Sequence, residues 1–109
     1  MPSGGRLVLC ESILDAAWFP DRVALGGTTI SKDQLSVLHE MVRELRIKEV
    51  VVMLDGDAAG RSGNIRVATS VAMAISMPIY YCECPQGQDP CELGNSGAIY
   101  MLRNMRRFT

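Results

Sequence analysis

The 109-residue chain has no apolar run near the roughly 20 residues that cross a bilayer. A transmembrane helix is excluded. Net charge is almost absent, at −1, so no long-range pull toward a polyanion is built into the whole chain. Any nucleic acid would have to be met by a local basic patch or by bound metal. Internal repeats, low-complexity tracts and linkers are also missing, which points to one compact domain over 1–109. The short stretch LVLC is too brief for a secretory signal, so the four cysteines are expected reduced in a cytoplasmic protein. Cys82 and Cys84 lie one residue apart in a strand-like run and share a face. Zinc sites space their cysteines differently, and buried or half-buried thiols are the plainer reading. The single histidine, His39, falls on the polar side of a helical pattern and is expected to be solvated.

Short apolar runs alternate with helical patterns. GRLVLC (5–10), RVALGG (22–27), EVVVML (49–54) and IYYCEC (79–84) read as strands. The third has no polar alternation and is expected at the centre of a sheet, covered on both faces. A helix is predicted over 11–19, stopped by Pro20. A second, over 32–46, opens on Ser31 and Gln34 as a capping box and carries Leu35, Leu38, Val42 and Leu45 at helical spacing. A third, rich in small residues, follows Asp57 and is broken by Pro78. A basic helix is expected over about 97–108. Such alternation predicts right-handed crossovers and a four-stranded parallel sheet in a three-layer α/β/α domain.

Ligands of parallel sheets bind at the carboxyl ends of the strands. Asp55 and Asp57 stand where the third strand ends, separated only by Gly56. Glu11 stands at the matching end of the first strand, with Asp15 one helical turn on. Asp89 lies in the loop after the fourth. Crowded carboxylates raise one another's pKa, and a hard divalent ion, Mg²⁺ or Mn²⁺, reverses that penalty. Mg²⁺ keeps positions for substrate phosphates. The following AAGRSG opens a helix whose N–H groups favour an anion. Gly60 and Gly63 would let a phosphate or a neighbouring strand come close, and Arg61 could contact a phosphate. Glu11 and Asp55 can meet only if the first and third strands are neighbours, so the order 2-1-3-4 is predicted.

These residues resemble a known family. "CESILDA", "VALGGTTISKDQLSVL", "MLDGDAAGR" and "GQDPCEL", over about 6–93, are together similar to the TOPRIM domain of bacterial and phage DNA primases. The resemblance implies Mg²⁺-dependent nucleotidyl transfer, making RNA primers on single-stranded DNA from nucleoside triphosphates. Partners would be further primase domains or a helicase. Glu11 matches the family's acidic catalytic residue, Asp55 and Asp57 its metal-binding pair, and Asp15 and Asp89 its auxiliary acidic positions. Gly56, Gly60 and Arg61 fall in the phosphate-facing stretch. One departure concerns a D-P-D of primases, whose second aspartate is Cys91 here. Two other functions stay open: a stand-alone TOPRIM nuclease, or a domain that binds metal and nucleotide without turnover.

Overall fold

The computed structural model describes residues 5–11, 22–54, 57–83, 103 and 105–109. Five strands form one sheet: β1 (Arg6–Cys10), β2 (Arg22–Ala24), β3 (Glu49–Leu54), β4 (Ile79–Glu83) and β5 (Arg106–Arg107). Their order is β2-β1-β3-β4-β5. The first four are mutually parallel, in the predicted order 2-1-3-4.

Two helices are described, α1 (Lys32–Glu44) and α2 (Ala58–Ala74). The capping box is present: the Gln34 N–H donates to Ser31 Oγ (3.1 Å), and the Ser31 N–H to Gln34 Oε1 (2.8 Å). Gln34 Nε2 also donates to Leu25 O (2.7 Å), tying the start of α1 to the end of β2. The crossovers β2-α1-β3 and β3-α2-β4 run in the same direction across the sheet. Right-handed connections then put both helices on the same face. Leu38 of α1 and Val67, Ala68 and Val71 of α2 pack there with Leu7, Leu9, Val50, Val52, Leu54 and Ile79. The opposite face holds Val8, Cys10, Val51, Met53 and Cys82, also buried. β3 is thus covered on both faces, as its unbroken apolar run requires. The helix expected over 11–19, which would supply the third layer, lies outside the described residues.

The chain's end differs from expectation. A basic helix over 97–108 was the prediction, but Arg106–Arg107 is a strand antiparallel to β4. The physical reason is an unsatisfied sheet edge. Ile79 O accepts the N–H groups of Phe108 (2.7 Å) and Thr109 (3.2 Å), and the Ile79 N–H donates to Thr109 O (3.1 Å). Arg107 stacks 5.6 Å from the Tyr80 ring, and Phe108 packs against the core. Arg103 is helical as expected, but at Arg106–Arg107 pairing that edge wins over the helical spacing.

Candidate functional site

The site is built on the edge where β1 and β3 end side by side. The sheet changes direction here: from β1 the chain goes one way to β2, and the other neighbour is β3. This is a topological switch point, where open α/β sheets take their ligands. The register sets Leu9 opposite Val52. Continued by two residues, it brings Glu11 level with Leu54, one residue short of Asp55. Neighbouring strands lie about 4.8 Å apart.

Glu11 is half-buried. Its backbone is held from the β2 side, where Glu11 O accepts the Gly26 N–H at 2.7 Å and Cys10 O accepts that of Leu25 at 2.8 Å. Gly26 has φ +77°, a left-handed conformation that side chains resist. The first glycine of RVALGG therefore lets the chain turn while still bonding to Glu11.

Asp57 is exposed and is the N-cap of α2. Its Oδ1 accepts the Gly60 N–H at 2.6 Å, a short, charge-assisted bond. The Gly60 N–H, expected to face phosphate, is thus engaged by the cap. A carboxylate has about four acceptor positions, so capping leaves Asp57 capacity for a cation. Arg61 follows in the first turn, exposed, with Nη1 3.9 Å from Glu83 Oε2. A pair so long and so solvated holds little energy. Gly63 is where a neighbour does approach. A Cβ there would stand 2.8 Å from Leu54 Cδ1 and 2.9 Å from Thr28 Cβ. The close approach is made by protein, between α2, the end of β3 and the loop after β2.

Of the predicted acidic set, Glu11 and Asp57 are described. Asp15, Asp55, Asp89 and Gly56 lie outside the described residues, as do Cys84 and Cys91. Among the described residues, no three His, Cys, Asp or Glu side chains gather around one point. The donor chemistry of the described pair fits a hard cation such as Mg²⁺: two carboxylates, one half-buried and one exposed, at one edge of the sheet.

One residue missed in the sequence shapes this edge. Asn64 is the one buried polar side chain among the described residues. Its Oδ1 accepts the Leu54 N–H (3.1 Å) and its Nδ2 donates to Cys82 O (3.1 Å). The available signal was a polar residue on the otherwise apolar buried stripe of α2. His39 lies away from this edge: it is exposed, and its Nε2 is 3.0 Å from Ala74 O at the opposite end of α2. Cys10 and Cys82 are buried, as expected. Burial pushes the Cys82 thiol from an ordinary value of 9.0 up to about 12, with Arg6 pulling weakly the other way. It is neither a nucleophile nor a ready metal ligand. No described helix is long and apolar enough to cross a membrane.

Comparison with known proteins agrees with this geometry. The Toprim-like family model matches residues 8–93. A DNA primase of Chlamydia trachomatis is 30% identical over 90 residues, 78% of this chain but 14% of that protein. Among solved structures, the Aquifex aeolicus primase (its zinc-binding and RNA polymerase domains) superposes with a TM-score of 0.79 at 22% identity. That match takes in 98% of this chain and 27% of the other. A DnaG primase catalytic domain bound to single-stranded DNA gives 0.67 at 21% identity, over 94% of this chain and 34% of that one. The chain thus spans about a seventh of the curated relative and about a quarter to a third of the solved primases. With most of its length matched by the family model and its strand order that of the fold, the chain belongs to the Toprim-like family.

Proposed function

We propose that this domain carries out Mg²⁺- or Mn²⁺-dependent nucleotidyl transfer on nucleic acid, as the catalytic TOPRIM part of a DNA primase making RNA primers on single-stranded DNA. The observation that carries the reading is the adjacency of β1 and β3, which brings the Glu11 end and the Asp55–Asp57 end of the chain to one edge. Likeness to a region of a DNA primase, and to a primase fold solved with single-stranded DNA, supports the choice of substrate.

Bound divalent ions would supply charge stabilisation for an in-line phosphoryl transfer. In this reading Asp55 and Asp57 hold the metal, with Asp15 and Asp89 as auxiliary carboxylates. Glu11 accepts the proton of a 3′ hydroxyl. The N-terminus of α2 faces the phosphates. Arg61, exposed in the first turn of α2 and held only by a long pair with Glu83, would be available to contact a phosphate there. Polymerisation would draw on further primase domains or a helicase partner.

The test is equilibrium binding of a nucleoside triphosphate with and without Mg²⁺. Metal and nucleotide should tighten each other's binding, and Asp55→Asn should remove that coupling. Nucleotide binding indifferent to Mg²⁺ contradicts the proposal. Mn²⁺-dependent cleavage of RNA or DNA by the chain alone, abolished by Glu11→Gln, would reassign it to the TOPRIM nucleases. Coupled binding that yields no turnover in any reconstituted primase would leave a metal- and nucleotide-binding domain without catalysis.

A further inference from the structure

Asn64 is 1% exposed in the interior of α2. A buried carboxamide costs about 1–3 kcal/mol unless it is hydrogen-bonded. An alanine would be the better helix former at that position. The side chain must therefore serve something beyond the helix.

Its partners show what it serves. Leu54 is the last residue of β3, directly before Asp55 in the chain. Cys82 lies near the end of β4, opposite Met53. The Val50 N–H donates to Pro78 O at 3.1 Å. Two steps of the parallel ladder further on, the same register aims the Leu54 N–H at Cys82 O. Asn64 bonds to both groups of that last rung, accepting from its donor and donating to its acceptor. The orientation of the amide is fixed, since an N–H must meet Oδ1 and a carbonyl must meet Nδ2.

A ring results. From Leu54 the chain runs through Asp55, Gly56 and Asp57 into α2 and returns to Leu54 through the Asn64 side chain. The second bond pins the ring to β4. Within it, the Asp57 cap on Gly60 closes a smaller loop. Gly63, beside Asn64, sits so near Leu54 that α2 is held against the strand end.

We infer that Asn64 is a positioning residue, whose carboxamide clips the end of β3 to α2 and β4 and so fixes both flanks of the Asp55–Gly56–Asp57 segment for metal. The inference rests on the metal-site reading above for its consequence, but not for its geometry. Outer residues that orient ligands are typically worth 10–100-fold in metal affinity.

The experiment compares the parent chain with Asn64→Ala and with Val71→Ala. Val71 is a buried core residue of the same helix, placed two turns further along. Backbone order parameters of residues 55–57 are measured without metal, and Mn²⁺ affinity is measured on the same samples. In Asn64→Ala the order parameters should fall from about 0.85 toward 0.6. Mn²⁺ should bind about 10-fold more weakly. Val71→Ala should lose stability and change neither reading. If Asn64→Ala does not fold, Asn64→Ser replaces it; its hydroxyl is too short to span both partners, and the same losses are expected. An equally rigid turn in the Asn64 variant overturns the inference. A parent chain that binds no Mn²⁺ overturns the metal-site reading instead, while the order parameters still decide the role of Asn64.

Discussion

Asp57 caps α2 and, in the proposed function, would also hold metal, two duties that chemistry can separate. As the N-cap of α2 it needs only an acceptor for the Gly60 N–H, and asparagine caps about as well as aspartate. As a metal ligand it needs its charge. Asp57→Asn should therefore stay within about 1 kcal/mol of the parent in chemical denaturation while losing most of its Mn²⁺ affinity. Asp57→Ala should lose both, with about 1 kcal/mol of stability gone. Cys82 makes a prediction about pH. Below about pH 9 its thiol is protonated in both folded and unfolded chains and adds no slope. Between about 9 and 12 only the unfolded chain ionises, so stability falls as pH rises. Cys82→Ala should flatten that alkaline decline by as much as about 1.4 kcal/mol per pH unit, read from denaturation midpoints across the range. The positions of Glu11 and Asp57 at the ends of β1 and β3 were legible in the sequence because strand ends and acidic spacing mark them. Asn64 could not be assigned a purpose there, because its partners are backbone groups ten and eighteen residues away.

Among the elements, α1 was the most legible, since its capping box and apolar stripe are local signals and both bonds of the box are present. β3 matches its predicted bounds, because six residues without polar alternation suit only a strand covered on both faces. β5 was misread because its pairing depends on an edge supplied by β4, some twenty-five residues earlier. The packing of α2 turns on Gly63. An alanine there would gain about 1 kcal/mol of helix propensity. Its Cβ, however, would press within 3.0 Å of Leu54, Thr28 Cβ and Thr28 O. The Leu54 side chain can swing aside, but the Thr28 backbone cannot do so cheaply. Overpacking costs about 1–3 kcal/mol, so Gly63→Ala should be destabilised by up to about 2 kcal/mol net in urea denaturation. A variant more stable than the parent would mean that the contact between α2 and the β2–α1 loop is looser than described.

At the scale of the molecule, function depends on topology more than on any one side chain. Placing β1 between β2 and β3 makes the switch point, and with parallel strands it sends Glu11 and the end of β3, followed by Asp57, to the same edge. The far edge is closed by a different device, the Arg6 Nε–Glu49 Oε1 pair at 2.9 Å across β1 and β3. The two ends of one strand pair thus differ in electrostatic character: a satisfied ion pair at one, acidic groups at the other. This order was legible because only adjacency of the first and third strands lets the acidic groups meet. The most direct test is paramagnetic broadening of backbone amides by substoichiometric Mn²⁺. The account predicts the strongest broadening together at Glu11, at residues 54–57 and at Gly60, fading along β1 and β3 toward Arg6 and Glu49. Broadening centred at the Arg6–Glu49 end, or at Asp57 with Glu11 untouched, would contradict it.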